Sequence, residues 1–363
     1  MKLLDSVLKY EERLIFSLRE LYGAYGYQPF HMSRFEEYDL YVSNKSFLVS
    51  DSVITFTDPD GKLLALKPDV TLSIVKACRP AEGALEKVYY NENVFRVSGG
   101  THDFREIMQT GLECIGALDT AAKAEVVTLA AASLARIDSR YVLDLSHLGV
   151  VGAVIDALGV DEATRADLLT ALGSKTPHGV MAALRAAGIG EDAATPLRAL
   201  VKTAGTPADV IAALTPVLAD NAAATEALLE LATVAEAVGE RVRIDFSVVN
   251  DMRYYSGIVF RGFVPDVSSA VLSGGQYDKL LHRLGRCGGA CGFAVYLDRL
   301  APRAEAKMPD FDIFLQYGEG DAPAAVLAAA ATLREGGARV RTGRVLPAEC
   351  EGVRCVTVSE VTK

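Results

Sequence analysis

Three segments between residues 243 and 300 decide the fold: RIDFSVVNDMRYYSGIVFRGF at 243–263, AVLSGGQYDKLLHRLG at 270–285 and GGACGFAVYLDRL at 288–300. Apolar and polar residues alternate through them, which is typical of strands with one buried face. The pair Gly274-Gly275 predicts a turn, and a short helix follows it. A glycine-rich strand then leads to a helix that carries Arg299. The stretch therefore predicts a sheet that binds a ligand.

Composition places the chain among globular proteins with more than one domain. It has 363 residues, of which 50% are hydrophobic and 23% charged, enough for one large core and one or two smaller ones. The N-terminal MKLLDSVLKYEERL is charged and amphipathic rather than signal-like, and no apolar run reaches the roughly 18 residues of a membrane span. We expect a cytoplasmic protein. A net charge of −10 argues against a general nucleic-acid binder, because phosphate recognition needs clustered Lys and Arg.

Cysteines and histidines give no sign of a metal site. The six cysteines form no CxxC pair, and the five histidines form no HxxxH or HExxH pattern. Buried, reduced thiols are favoured over a redox or metal-binding role. We therefore expect neither a metal nor a cofactor.

Periodicity and turn residues predict the order of the remaining elements. They are an amphipathic helix at 3–22, two strands within 54–71 joined by the turn Asp58-Pro59-Asp60-Gly61, a helix whose first turn contains Pro68, strands at 87–97 and 105–116 joined through Gly99-Gly100, and a helix at 119–136. Together they predict an antiparallel sheet edged by helices.

Shifts in composition predict the domain boundaries. From 148 to 239 Ala and Leu dominate and Gly and Pro punctuate helical patterns, so this range is interpreted as an all-helical insertion domain. Residues 1–147 and 240–303 would form the core domain around it. Residues 309–363 follow a proline-containing linker and predict a small βαβ module.

Six motifs in the order and spacing of class II histidyl-tRNA synthetases carry a family resemblance. They are LKPDVT (66–71), FRVS (95–98), QTGLE (109–113), NDMRYYSG (250–257), SGGQYD (273–278) and GFAVYLDR (292–299). In the synthetases these motifs build one pocket for histidine and ATP. The resemblance covers residues 5–300 and implies the α+β class II synthetase-like fold, an antiparallel sheet with flanking helices. The module at 309–363 resembles a truncated anticodon-binding domain.

The histidine half of that pocket is kept. The matching residues, which the resemblance implies bind histidine, are Asp69, Thr71, Gln109, Glu113, Tyr254 and Tyr255. Carboxylates suit an ammonium and an imidazole N–H, and tyrosines offer a ring face and a hydroxyl. Taken singly, Asp69 is also explained by the dipole of a helix start, and the tyrosines by strand packing. Adjacent residues of a strand face opposite sides, so both tyrosines reach one pocket only if the chain bends near Gly257.

The ATP half of the pocket departs from the synthetase pattern. Asn250 replaces the arginine that stabilises charge on the α-phosphate, and an amide cannot replace a guanidinium there. Ser98 replaces an acid, and Tyr296 replaces a glycine against which the nucleotide lies.

Several arginines near the motifs remain open to interpretation. Arg96, Arg105 and Arg299 match phosphate-contacting arginines and are either anion-binding residues or structural remnants. Arg253 could offer a substitute charge to a carboxylate.

This combination resembles the regulatory subunits of ATP phosphoribosyltransferase, to which Met252-Arg253-Tyr254-Tyr255-Ser256-Gly257 is especially similar. The resemblance implies a non-catalytic chain that forms a homodimer inside a hetero-oligomer with the short-form catalytic subunit, with histidine as its feedback effector in the first step of histidine biosynthesis. Binding of tRNA is not expected. The alternatives are a divergent, active histidyl-tRNA synthetase or amino-acid ligase, and a stand-alone binding module.

Overall fold

The computed structural model describes residues 8–44, 53–97, 103–190, 192–239, 241–249, 254–303, 311–347 and 353–362. In chain order the elements are α1 (Tyr10–Ala24), β1 (Gln28–Pro29), β2 (Phe35–Glu37), α2 (Tyr38–Val42), β3 (Thr55–Thr57), β4 (Leu63–Leu66), α3 (Thr71–Ala77), β5 (Leu85–Val97), β6 (Phe104–Gly116), α4 (Thr120–Ile137), β7 (Val142–His147), α5 (Leu148–Asp156), α6 (Glu162–Gly173), α7 (Pro177–Ala186), α8 (Thr195–Lys202), β8 (Ala204–Gly205), α9 (Pro207–Leu218), α10 (Ala222–Val238), β9 (Val242–Asp245), β10 (Ile258–Phe263), β11 (Leu272–Gln276), α11 (Asp278–Arg283), β12 (Gly289–Tyr296), a 3₁₀ helix (Leu297–Arg303), β13 (Ile313–Gln316), α12 (Pro323–Glu335), β14 (Val340–Gly343), β15 (Arg354–Thr357) and α13 (Val358–Val361). Two compact units result, Met1–Pro302 and Arg303–Lys363, and each is described by itself. None of the described helices is long and apolar enough to cross a bilayer.

A nine-stranded sheet organises the first unit, in the order β1-β5-β6-β12-β11-β10-β7-β9-β8. Its central pairings are antiparallel, whereas β1 with β5 and β7 with β9 are parallel. The long pair β5 and β6 keeps one register from Leu85 opposite Gly116 to Val97 opposite Phe104. The strands predicted at 87–97 and 105–116 are therefore confirmed, while the Gly99-Gly100 connection lies outside the described residues.

Two helices cover the face of the sheet opposite the pocket described below. Leu14 and Leu18 of α1 are buried in one cluster with α4 residues and with Leu112 and Cys114 of β6. The side chain of Asp119 accepts a hydrogen bond from the amide of Ala122 at 2.8 Å and so caps α4. The helix predicted at 119–136 is confirmed, and the described part of the helix predicted at 3–22 is α1.

The range 148–239 is helical apart from β8, which pairs with β9 at the sheet edge, so the all-helical prediction is wrong at this one point. Thr206 follows β8 and precedes Pro207, and the residue before a proline disfavours the helical region, so no helix runs through this point. Insert residues such as Leu168 and Val234 belong to the same core cluster as Leu145 of the sheet. The division of 1–303 into a core domain and an insertion domain stays a prediction.

The turn predicted at Gly274-Gly275 is wrong, because both residues lie inside β11. A Cβ atom on Gly274 would come 2.3 Å from the carbonyl oxygen of Gly292, and one on Gly275 2.6 Å from that of Ile258. Close backbone approach within the sheet, and not a change of chain direction, explains this glycine pair.

The second unit is a three-stranded parallel sheet in the order β14-β13-β15. The predicted βαβ module corresponds to β13, α12 and β14. Strand β15 and the short helix α13 had no counterpart in the sequence prediction. Leu315 and Val358 are buried in the small core of this unit.

A candidate amino-acid-binding site

A pocket lies on the face of the main sheet that carries Glu113. Its floor follows from strand register, since Glu113 lies opposite Gly292, and Gln109 lies opposite Tyr296, so these side chains share one face. The lining residues are Asp69, Val70, Thr71, Tyr90, Arg96, Gln109, Glu113, Tyr254, Tyr255, Ser273, Tyr277, Gly292, Phe293, Ala294 and Tyr296. All six residues predicted from the motifs to bind histidine are brought together here.

Glycines make room in the floor for these side chains. A Cβ atom on Gly292 would come 1.6 Å from Oε2 of Glu113 and 2.4 Å from the carbonyl oxygen of Leu112. On Gly111 it would come 2.7 Å from the hydroxyl of Tyr90. The glycine-rich strand predicted around 288–292 therefore serves the pocket by leaving space for larger neighbours.

Glu113 is the buried acid of the pocket. Its Oε1 accepts a hydrogen bond from the hydroxyl of Thr71 at 2.8 Å, and its Oε2 accepts one from the hydroxyl of Tyr277 at 2.5 Å. Burial raises the pKa of Glu113 to about 8, and the nearby Asp69 adds to the rise, although both hydroxyl hydrogen bonds oppose it. A ligand with a cationic or N–H group aimed at Glu113 would stabilise the carboxylate.

Asp69 both caps a helix and lines the pocket. Its Oδ1 accepts a hydrogen bond from the amide of Leu72 at 2.9 Å in the first turn of α3. Burial raises the pKa of Asp69, while the Leu72 amide and the charge of Arg96 oppose the rise. Pro68 lies before α3 and not in its first turn, which corrects that prediction, because the chain first turns at Asp69 to form the cap.

Tyr254 and Tyr255 both line the pocket without breaking strand alternation. They precede β10, whose ladder begins at Ile258, so the rule that neighbouring side chains alternate does not apply to them. The two rings meet edge to face with centroids 4.7 Å apart, and the Tyr254 and Tyr277 centroids are 5.6 Å apart. Burial raises the pKa of each well above its usual range, so the hydroxyls stay protonated.

The three arginines that match phosphate-contacting positions do not converge. Arg96 lines the pocket, and its Nε donates to the carbonyl oxygen of Pro68 at 3.0 Å. Arg105 is exposed, lies opposite Arg96 in the strand pair and does not line the pocket. Arg299 donates to the carbonyl oxygen of Ala270 and also does not line the pocket.

Asn250 and Ser98, two positions of the predicted ATP half, lie outside the described residues. So does Arg253, the predicted substitute charge for a carboxylate.

Two lining tyrosines were missed by the sequence prediction. Tyr277 belongs to the SGGQYD motif and binds Glu113 directly, so the motif itself carried the signal. Tyr90 lies opposite Gly111, and only the pairing register of two strands places it at the pocket.

The sheet and its pocket define a histidyl-tRNA synthetase-like protein. The histidyl-tRNA synthetase family model matches residues 2–300. A solved structure from Bacillus halodurans C, described as an ATP phosphoribosyltransferase regulatory subunit/histidyl-tRNA synthetase, has the same fold. Its TM-score is 0.75 at 24% identity, over 96% of this chain and 94% of that one. A solved ATP phosphoribosyltransferase (HisG:HisZ) complex from Thermotoga maritima contains a similar chain, with a TM-score of 0.63 at 17% identity, over 79% of this chain and 97% of that one.

Sequence identity shows which family of histidyl-tRNA synthetase-like proteins the chain belongs to. The ATP phosphoribosyltransferase regulatory subunit of Symbiobacterium thermophilum is 34% identical over 322 residues, which cover 82% of this chain and 79% of the relative. The chain belongs to the family of ATP phosphoribosyltransferase regulatory subunits. The family resemblance predicted from the motifs is confirmed.

Proposed function

We propose that this chain is a non-catalytic regulatory subunit of ATP phosphoribosyltransferase. It assembles with the short-form catalytic subunit, which joins ATP to phosphoribosyl pyrophosphate, and it activates that subunit. Histidine bound in the pocket around Glu113 inhibits the complex. The names of the curated relatives support the partner, and the pocket supports the effector.

The environment of Glu113 carries the proposal. Its described hydrogen-bond donors are the hydroxyls of Thr71 and Tyr277, and no described lysine, arginine or histidine forms an ion pair with it. A buried carboxylate without a cation is unfavourable when ionised. Histidine supplies an ammonium group and an imidazole, and the rings of Tyr254 and Tyr255 offer faces and edges for the latter.

The residues at the other end of the pocket argue against activation of histidine by ATP. Tyr296 lines the pocket with a side chain where the synthetase pattern has glycine. The guanidinium of Arg299 lies against the Tyr296 ring, 4.1 Å from its centroid, instead of facing the pocket. A nucleotide would therefore lack both space and one of its expected phosphate contacts.

Reconstitution tests the proposal. The chain is mixed with the short-form catalytic subunit from the same source, and formation of phosphoribosyl-ATP is followed with and without histidine. We expect activity to rise on assembly, to fall with histidine, and to resist histidine when the chain carries Glu113→Gln. Assembly without any effect of histidine would contradict the effector role, and failure to assemble would contradict the regulatory role.

The alternative of a divergent synthetase has a separate assay. Histidine-dependent exchange of pyrophosphate into ATP requires adenylation, so we expect none from the isolated chain or from the complex. Clear exchange would replace the regulatory proposal by an enzymatic one.

A further inference from the structure

Two contacts hold the side chain of Tyr296 at the end of β12. Its hydroxyl is 2.6 Å from the hydroxyl of Ser273 on the neighbouring strand β11. The second contact is with the guanidinium of Arg299, whose carbon lies 4.1 Å from the ring centroid. Arg299 is itself bonded to the carbonyl oxygen of Ala270. A hydrogen bond and a cation–π contact therefore fix the ring against the pocket.

The backbone of Tyr296 is fixed as well. Its amide donates to the carbonyl oxygen of Val271 at 2.9 Å, at the point where β11 begins. Turning the ring out of the pocket would break its contacts with both Ser273 and Arg299. The ring therefore acts as a wall and not as a freely moving side chain.

The two ends of the pocket differ in chemistry. Glu113 accepts hydrogen bonds at one end, whereas Gln109, four residues away on β6, lies opposite Tyr296 at the other. The Nε2 of Gln109 is buried and has no hydrogen-bond partner among the described residues. An amino acid whose cationic groups meet Glu113 would direct its carboxylate toward the Gln109 amide, beside the wall.

We propose that Tyr296, held by Ser273 and Arg299, closes the carboxylate end of the pocket and restricts its ligand to free amino acids. Ligands extended at the carboxylate, such as aminoacyl adenylates, are excluded. This inference rests on the proposed function, in that it takes the pocket as the site of histidine.

Calorimetry with two ligands tests the wall. L-histidine and the non-hydrolysable adenylate analogue 5′-O-[N-(L-histidyl)sulfamoyl]adenosine are titrated into the full chain. We expect wild type to bind histidine at least ~10-fold more tightly than the analogue, since the analogue must displace a fixed ring. Tyr296→Ala should shift the ratio of the two affinities toward the analogue by at least ~10-fold.

Two further variants control the measurement. Ser273→Ala removes only the hydroxyl that holds Tyr296, and should shift the same ratio in the same direction by a smaller factor, so the test survives if Tyr296→Ala fails to fold. Tyr25→Ala removes a tyrosine that is 41% exposed and lies outside the pocket, and should leave the ratio as in wild type.

The outcomes separate the wall from the histidine site. Equal affinity of wild type for the two ligands would contradict the role of Tyr296 as a wall and leave histidine binding intact. The same would follow if neither Tyr296→Ala nor Ser273→Ala changed the ratio of the two affinities. If wild type binds neither ligand but Tyr296→Ala binds the analogue, the role of Tyr296 as a wall is supported and the binding of free histidine is contradicted. Binding of neither ligand by any variant overturns both.

Discussion

Glu113 and Glu230 are two carboxylates of one chain in opposite electrostatic surroundings. Glu230 on α10 contacts Nζ of Lys123 at 2.5 Å and Nε2 of His147 at 3.1 Å. The hydrogen bond from His147, followed by the contacts with Lys123, lowers the pKa of Glu230 to about 2 against the effect of burial. Glu113 has only hydroxyl donors among the described residues, and burial raises its pKa to about 8.

The difference separates a structural carboxylate from one that we propose binds the ligand. Glu230 joins α10 to α4 and β7 with its charge balanced inside the protein, so it needs nothing from outside. The Nδ1 of His147 accepts from the amide of Gly149 at 3.0 Å, which leaves Nε2–H to donate to Glu230. Glu113 lacks such balance, and a cationic ligand would provide it. Function is therefore expected where the protein leaves a buried ionisable group without an opposite charge.

Gly292→Ala should have the largest effect, because it removes the space that Glu113 occupies. The new Cβ would lie 2.4 Å from the backbone oxygen of Leu112, which a rotamer change cannot relieve. We expect a loss of about 3 kcal/mol in the free energy of unfolding, measured by urea denaturation. Gly23→Ala on α1, where nothing lies within 4 Å, should instead stabilise the chain by up to about 1 kcal/mol. Equal effects of the two variants would contradict this role for Gly292.

Glu113→Gln should have the second-largest effect, and the quantity that it changes should be the affinity for histidine. The amide keeps the shape but loses the charge, which costs about 1.5–3 kcal/mol in a charge-assisted hydrogen bond, or a ~10- to 150-fold weaker affinity for histidine. Calorimetry at pH 7 in two buffers of different ionisation enthalpy also measures how many protons are taken up or released when histidine binds. Because the raised pKa of Glu113 favours its protonated form in the empty site, wild type and the variant should exchange different numbers of protons with the buffer on binding. Unchanged affinity would remove Glu113 from the site.

Glu230→Gln should lower the stability of the protein and leave its affinity for histidine unchanged. It leaves Lys123 without its carboxylate, and Lys123 is only 11% exposed in its side chain, so we expect a loss of about 1.5 kcal/mol in the free energy of unfolding. Histidine affinity should not change. Glu236→Gln, on the exposed face of the same helix, should alter stability by less than about 0.5 kcal/mol. Loss of histidine binding in Glu230→Gln would show that the two carboxylates are coupled.

The pH dependence of stability should have opposite signs at the two sites. Glu113 has a native pKa above its ordinary value of 4.5, so its contribution is present below pH 4.5 and is lost as the pH rises through about 8. Glu230 has a lowered pKa, so its contribution is present above 4.5 and is lost as the pH falls toward about 2. The slope for one proton is at most about 1.4 kcal/mol per pH unit. In thermal unfolding, stability should vary less with pH between 4.5 and about 8 for Glu113→Gln, and less between about 2 and 4.5 for Glu230→Gln.

Local patterns predicted one of these carboxylates and not the other. Glu113 stands in the QTGLE motif, and its predicted neighbours in the pocket were found because their motifs occur in a recognisable order. The Glu230 cluster joins residues 83 and 107 positions apart that belong to no motif, so only tertiary packing brings them together. Gly274-Gly275 was misinterpreted for a related reason. Glycine pairs favour turns when only the neighbouring sequence is considered. In β11 the two glycines are required because the backbones of adjacent strands approach them closely, and that approach depends on which strands pair.

Asp69→Asn should have the smallest effect and separates the two explanations of Asp69. Asparagine caps a helix as well as aspartate, and its Oδ1 can still accept from the amide of Leu72, so stability should change by less than about 0.5 kcal/mol. If the charge also serves the ligand, histidine affinity should fall by about fivefold, corresponding to about 1 kcal/mol. Asp119→Asn makes the same replacement at the cap of α4, away from the pocket, and should alter neither quantity. An affinity unchanged in Asp69→Asn would leave Asp69 as a helix cap alone and Glu113 as the carboxylate that recognises the cation.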